Sequence, residues 1–321
     1  MVKDIPSETL IKMFQVMMTI RRFEEKAKEL YLYGLMRGTL HLSIGEEATS
    51  TGVCLALEPD DYIMTTHRGH GHCIAKGVDV DAMMAEILGK DAGCCQGRGG
   101  TMHIFDVSRG VLGANAIVGG NIPLSTGVAF AIQQLGLSQV IVSFFGDGAC
   151  NQGTFHESLN MGALWKLPVI YVIVNNQVGD TTPLRETVAV ESLAIRARGY
   201  GMPGVKVDGN DVLQVYARTA EAVERARSGD GPTLIECETY RWEGHHLGDP
   251  QVYRTKVEVE EWKRKDPIAR LRQVLLSEAL VDQVALKAME DEIEVRIEAA
   301  VKFAQKSPEP DPSRVLDYVW A

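Results

Sequence analysis

Two short polar stretches carry the clearest chemistry in this sequence. Gly146-Asp147-Gly148 stands directly after the apolar run QVIVSFF (139–145), and Asn175-Asn176 directly after LPVIYVIV (167–174). The aspartate offers a carboxylate oxygen and the asparagine an amide oxygen, hard donors that suit Mg²⁺ and suit zinc poorly. Mg²⁺ usually takes only one or two carboxylates and completes its octahedron with phosphate oxygens and water. Glycines beside the aspartate let a phosphate approach the backbone. Asp147 and Asn176 are therefore candidates for a Mg²⁺-diphosphate clamp. A lone GDG is an ordinary tight turn. The setting is what sets this one apart.

That setting is a series of strands and helices. QVIVSFF and LPVIYVIV are continuous apolar runs, the pattern of strands covered on both faces. TFHESLNMGALW (154–165) lies between them as a helix, with Thr154 and Glu157 spaced as a capping box. Its start would add N–H donors and the positive end of its dipole to the clamp. The crossover is long enough for parallel pairing, which delivers both polar tips to one sheet edge. Segments 201–209 and 232–240 read as further strands, with 211–229 as a helix between them. The alternation predicts an α/β fold with a doubly wound, mainly parallel sheet and helices on both faces. Residues 7–33 read as a long helix with Ser7 as N-cap and Gly34 beyond its end. Residues 40–135 mix helical stretches with glycine-rich loops, and Pro123 opens a helix rich in small residues. From about 256 to 306 the chain is charged and helical. Asp266-Pro267 forms an N-cap and first-turn pair there, and Met289, Ile293, Ile297, Ala300, Val301 and Ala304 line one helix face. No linker or repeat divides the chain, so 1–321 reads as a single domain.

Composition narrows the function. The 321 residues carry 33 Lys+Arg against 43 Asp+Glu, a net charge of -10. That balance argues against a nucleic-acid partner. No apolar run is long enough for a membrane span, and the first residues lack a signal-peptide core. The six cysteines show no zinc or disulfide spacing, so a reduced, cytoplasmic protein is expected. The vicinal pair Cys94–Cys95 is either redox-active or two ordinary free thiols. His67, His70 and His72 in HRGHGH are a rival metal set, but no acidic partner is near and Arg68 repels a cation. His70 and His72 read equally as channel lining or as partners of loop carbonyls.

GDG followed by NN at this interval is similar to the thiamine-diphosphate signature. The chain from about residue 7 to 306 resembles the alpha chain of the first, decarboxylating component of 2-oxo acid dehydrogenase complexes. The resemblance rests on HLSIGEEA, THRGHGHCIAKG, GRGGTMH, LGANAIVGG, FFGDGACNQG, ALWKLPVIYVIVNN, VDGND and TYRWEGHHLGDPQVYR. THRGHGHCIAKGVDV and SRGVLGAN look most like the acetoin-cleaving members. The resemblance implies the thiamine-diphosphate-binding fold, with thiamine diphosphate and Mg²⁺ as cofactors. Asp147, Asn176 and the backbone carbonyl of Val178 would ligate Mg²⁺. Gly148 and Ala149 would present N–H groups to the diphosphate, with His67 and Arg68 beside it. Backbone groups of Ala116 and Val118 would hold the aminopyrimidine ring. His41 would face the substrate and His245 would lie near the diphosphate. GRGGTMH (97–103) is either a gate or a plain turn. Asp180 departs from the pattern, which has a bulky apolar residue there.

The resemblance also implies what is missing. The glutamate that starts the chemistry belongs to a beta subunit, and no candidate for it is seen in this chain. An α2β2 assembly follows, with a lipoyl acyltransferase as acceptor and acetoin, pyruvate or another small 2-oxo acid as substrate. A non-catalytic cofactor-binding subunit is the alternative of another class. A Mg²⁺-dependent phosphate-transfer enzyme ranks last, since no P-loop lysine motif is present.

Overall fold

The computed structural model describes residues 5–319. In chain order its strands are β1 (Tyr62–Thr66), β2 (Val111–Asn115), β3 (Ile141–Gly146), β4 (Val169–Asn175), a short ribbon of β5 (Val178–Gly179) and β6 (Thr182–Pro183), β7 (Gly204–Asp208) and β8 (Thr233–Glu238). All but the ribbon form one sheet in the order β2-β1-β3-β4-β8-β7. Every pair in it is parallel.

The apolar runs explain the sheet's central place. All seven residues of β4 are buried. Val169, Tyr171 and Ile173 enter one hydrophobic cluster, while Ile170, Val172 and Val174 enter another. Successive side chains of a strand point to opposite faces, so two helical layers must cover the sheet. Helices α5 (Asn121–Gln134) and α6 (Gly153–Leu164) supply the first cluster. The second draws on α1 (Ser7–Leu32), α2 (Glu47–Cys54), α3 (His70–Lys76), α4 (Val80–Ile87), α7 (Val212–Arg227) and the last helix. Two shorter helices, α8 (Lys256–Lys263) and α9 (Pro267–Ser277), precede that last helix, α10 (Gln283–Lys306). On α10, Ile297, Ala300, Val301 and Ala304 are buried, and the helix lies against α1 and α4. Among the described residues no helix is long and apolar enough to cross a membrane.

Asp211 caps α7 and Asp266 caps α9, with Pro267 in the first turn. Two expected caps are not made. Pro6, not Ser7, is the N-cap of α1: its extended backbone stops the helix and its carbonyl accepts the first helical bond from Leu10. Gln152 precedes α6, and the Thr154 hydroxyl donates to the Gly119 carbonyl instead (3.3 Å). A tertiary bond there replaces the local one. Strands β1 and β2 were not expected. They are only five residues long, and Gly113 within β2 adopts φ +147 against the Phe105 ring. HGH (70–72), expected in a loop, opens α3.

Buried charges hold the first helix to the sheet's polar edge. Glu24 of α1 is fully buried and accepts from the Ser43 amide (3.1 Å) and hydroxyl (2.6 Å), and its other oxygen lies 3.1 Å from His70 Nδ1. Burial raises the Glu24 pKa, but His70 and Ser43 outweigh it and hold the carboxyl below its usual range. Arg21 bonds Glu47 (2.5 Å) and reaches Asp266 (3.3 Å) beneath the Trp242 ring.

Helix α2 meets α7 at Gly52, where an added Cβ would lie 2.7 Å from Val215 Cγ1 and 3.0 Å from the Tyr216 amide. Gly52→Ala is expected to destabilise the protein by about 1–3 kcal/mol through overpacking. The midpoint of urea unfolding measures it, and an unchanged midpoint refutes this packing.

Candidate active site

The strand order places a cleft where ligands of doubly wound sheets bind. From β1 the chain turns outward to β2; from β3, on the other side of β1, it turns the opposite way to β4. A crevice opens beyond the carboxyl ends of strands at such a switch point. There a cavity of about 290 Å³ is lined by the residues that follow β1, β2, β3 and β4, together with Arg241 beyond β8. All eleven residues that the resemblance assigns to the site line it: His41, His67, Arg68, Ala116, Val118, Asp147, Gly148, Ala149, Asn176, Val178 and His245.

Asp147 and Asn176 stand at adjoining strand ends because β3 and β4 are neighbours in register, with Gly146 opposite Val174. The two tips are pressed together. A Cβ on Gly148 would lie 3.4 Å from Gly179 Cα, and one on Gly179 3.3 Å from Gly148 Cα. Asn175 is structural: its amide donates to Glu236 (2.7 Å) and its oxygen accepts from the Gln177 amide (3.2 Å). Asn176 is oriented differently. Its Nδ2 donates to Glu46 Oε1 at 2.8 Å, which leaves Oδ1 free, and that oxygen is buried with no partner. Asp147 Oδ2 is buried and unpartnered as well. Burial raises the Asp147 pKa to about 6, only partly offset by bonds from the backbone at Asp147 and Gly148.

The Val178 carbonyl is available by strand geometry. Leu184 N–H donates to the Gln177 carbonyl (2.8 Å), so Gln177 and Leu184 are a bonded pair of the ribbon. Bonded and non-bonded pairs alternate in antiparallel ribbons. The next pair, Val178 with Pro183, is therefore non-bonded, and Pro183 has no N–H to give. The Val178 carbonyl points out of the ribbon, and Val178 lines the cavity. Two orphaned side-chain oxygens and one outward carbonyl make a donor set that fits a hard divalent cation and leaves its remaining positions to phosphate and water.

Groups suited to an anion line the same cavity. Arg68 is buried and donates to the Leu42 carbonyl (2.6 Å) and the His245 carbonyl (3.0 Å), so its guanidinium is fixed with further donors to offer. Burial and then Arg241 lower its pKa to about 10, so it remains a cation at neutral pH. The residues after Asp147 form a 3-10 turn, Asp147–Asn151, and the cavity wall includes Gly148 and Ala149 but no residue of α6. The expected contribution of the α6 start is thus replaced by that of the turn.

Three imidazoles form a cluster in the same cavity. His41 lies 4.7 Å from His67 and 5.0 Å from His245, centroid to centroid. Burial, then Arg68, lowers the pKa of His41 to about 3, of His67 to about 2 and of His245 to about 4. All three are neutral at pH 7. His70 and His72 are not part of this group. The His70 Nε2 lies 3.0 Å from the Thr101 carbonyl, while His72 bonds Thr65 and stacks on Phe144 and also lines the cavity.

Two site residues escaped sequence reasoning. Arg241 is 2% exposed, lines the cavity and donates to the Asp180 carbonyl (3.2 Å) and the Tyr253 hydroxyl (2.9 Å). Glu46 lines the cavity and fixes Asn176. Both lie inside quoted motifs, TYRWEGHH and HLSIGEEA, but nothing local marks their direction. Asp180, at φ +56 beyond β5, places a carboxylate oxygen 3.4 Å from His245 Nε2.

Comparison with known proteins gives this site a context. The dehydrogenase E1 component family matches residues 15–313. The alpha subunit of acetoin:2,6-dichlorophenolindophenol oxidoreductase from Bacillus subtilis is 50% identical over 318 residues, covering 99% of this chain and 95% of that protein. Its counterpart from Cupriavidus necator is 44% identical over 98% of this chain and 95% of its own length. The chloroplastic pyruvate dehydrogenase E1 component subunit alpha-3 of Arabidopsis thaliana is 43% identical over 99% of this chain and 76% of its own length.

The raised Asp147 pKa has a stability consequence. The folded state holds this proton up to about pH 6, whereas the unfolded chain releases it near 3.8. Stability of the cation-free protein therefore falls as pH rises through that window, by on the order of 3 kcal/mol. Asp147→Asn removes the buried charge. The variant is expected to unfold at higher urea than wild type at pH 7 without divalent cations, and at nearly the same urea at pH 4. A variant less stable at pH 7 contradicts an unpaired carboxylate at this position.

Proposed function

We propose, because the chain belongs to the dehydrogenase E1 component family, that it binds thiamine diphosphate with Mg²⁺ and cleaves acetoin in partnership with a beta subunit. It is an alpha subunit of the acetoin and 2-oxo acid dehydrogenase type. The observation that carries the proposal is the pair of buried, unpartnered oxygens, Asp147 Oδ2 and Asn176 Oδ1, at adjoining strand ends.

Asp147, Asn176 and the Val178 carbonyl hold the cation. Amides of Gly148 and Ala149 and the guanidinium of Arg68 meet the diphosphate, and backbone groups at Ala116 and Val118 meet the aminopyrimidine. Thiamine diphosphate supplies the electron sink that lets a carbon–carbon bond beside a carbonyl break. Within this chain, His41 and His245 are neutral imidazoles able to donate or accept a hydrogen bond at the substrate oxygens. The Asp180 carboxylate lies 3.4 Å from the His245 ring.

Asp180 favours acetoin over a 2-oxo acid. Its carboxylate repels a carboxylate-bearing substrate and accepts a hydrogen bond from a hydroxyl. Two like charges a few ångströms apart at the edge of water interact by about 1–4 kcal/mol, enough for about tenfold discrimination. Glu46, the glutamate in the cavity wall, is bonded to Asn176. The carboxylate that activates the cofactor therefore comes from the beta subunit, in an α2β2 assembly that delivers its acyl product to a lipoyl acyltransferase.

The test is co-expression with the beta subunit and assay of artificial-acceptor reduction with thiamine diphosphate and Mg²⁺. Acetoin is expected to exceed pyruvate by about tenfold or more in kcat/KM, and either chain alone to be inactive. Asp147→Ala is expected to lose Mg²⁺-dependent cofactor retention by at least about tenfold. Equal retention by this variant, or activity of the alpha chain alone, contradicts the proposal.

A further inference from the structure

Outside the pocket wall, one buried carboxylate organises a loop. Glu86 of α4 is fully buried. It accepts four backbone N–H bonds: Cys95 (2.8 Å) and Gly97 (2.9 Å) on Oε2, Gly99 (2.8 Å) and Gly100 (2.9 Å) on Oε1. The glycines are needed for this wrapping. A Cβ at Gly93 would lie 2.3 Å from Glu86 Oε2, and one at Gly99 would lie 2.1 Å from the His103 carbonyl. Toward its far end the Thr101 carbonyl contacts the buried His70, and Met102 lines the active-site cavity. GRGGTMH is thus a braced wall, neither a plain turn nor a free flap.

Cys94 and Cys95 sit in this loop, and both are reduced and partly accessible. Their sulfurs and a Glu86 oxygen lie within 4.8 Å of one another. The four N–H bonds engage the Glu86 carboxylate, so the group offers two sulfur ligands where a structural zinc site needs four. Its chemistry is that of a dithiol. The Cys95 sulfur accepts the Phe105 N–H at 3.2 Å. Burial raises the thiol pKa of Cys54 and Cys237 to about 12. Cys95 is shifted the other way, first by its hydrogen bond with Cys94.

We propose that Cys94 and Cys95 are a modification site, a vicinal dithiol that hydrogen peroxide closes to a disulfide, and that closure releases the loop from Glu86. The Cys95 thiolate attacks one peroxide oxygen. An S–O bond forms, the O–O bond breaks, and the departing hydroxide takes a proton to become water. Cys95 is then a sulfenic acid, oxidised as the peroxide is reduced. The Cys94 sulfur attacks the Cys95 sulfur, the S–S bond forms, and the S–O bond breaks with loss of water carrying the Cys94 proton. Adjacent Cα atoms are about 3.8 Å apart, whereas disulfides favour about 4.4–6.8 Å. Ring closure must therefore turn the Cys94–Cys95 peptide, whose N–H is one of the four on Glu86.

The test treats the alpha–beta complex with hydrogen peroxide and then with dithiothreitol. After brief peroxide, the tryptic peptide 91–98 is expected to be two hydrogens lighter and closed to alkylation, trypsin cleavage of the undenatured complex at Arg98 to quicken, and acetoin-dependent activity to fall at least about fivefold. Dithiothreitol reverses all three. Cys95→Ser keeps its basal activity and loses the response, and Cys94→Ser leaves a sulfenic acid that dimedone traps. A peptide that keeps both thiols while other cysteines oxidise overturns the proposal. So does Cys95→Ser activity as peroxide-sensitive as wild type. Disulfide formation with unchanged cleavage and activity overturns the release of the loop. The mass readout needs no knowledge of the substrate.

Discussion

A carboxylate oxygen and an amide oxygen, each buried without a partner at the ends of neighbouring strands and lining one cavity, are what the rest of the structure serves. An unpaired buried anion is expensive in a protein interior. Here it is held in place by rigid elements on every side. The register of β3 with β4 brings Asp147 to Asn176, and Glu46 turns the Asn176 amide so that its oxygen, not its nitrogen, faces inward. Glu46 in turn stands at the start of α2, a helix tied by Arg21 and Glu47 to α1 and α9. Much of the helical layer on that face thus serves to aim one amide group. A divalent cation would supply the missing charge, and the anionic cofactor would complete its coordination.

The same logic explains the histidines. Three neutral imidazoles crowd beside two buried guanidinium groups, Arg68 and Arg241. Protonating any of them would add a cation to a cationic, desolvated wall. The wall keeps its positive charge on the arginines and leaves the imidazoles as uncharged donors and acceptors. Positive charge and neutral hydrogen bonding are thereby divided between residue types.

Much of the candidate clamp's placement was legible because its signals are local. Continuous apolar runs ending in Gly-Asp-Gly and Asn-Asn announce buried parallel strands with polar tips, and adjacency in the chain became adjacency in the sheet. Val178 was legible only through resemblance, and the non-bonded Val178–Pro183 pair supplies its physical reason. Strands β1 and β2 were not legible. Five residues with mixed polarity leave no period to read, although His67, Arg68 and Ala116 follow them and depend on them for position. Arg241 and Glu46 were hidden for another reason. Their roles rest on contacts with Asp180 and Asn176, far away in the chain, and sequence gives no direction for such contacts. The capping box at Thr154 failed because a tertiary bond to Gly119 won over the local one.

The most direct test is the position of a scattering cation. Crystals of the alpha–beta complex grown with Mn²⁺ and thiamine diphosphate should show one strong anomalous peak at the clamp, within about 2.3 Å of Asp147 Oδ2, Asn176 Oδ1 and the Val178 carbonyl oxygen. A peak among His41, His67 and His245 instead, or no peak beside Asp147 with the cofactor bound, contradicts the account.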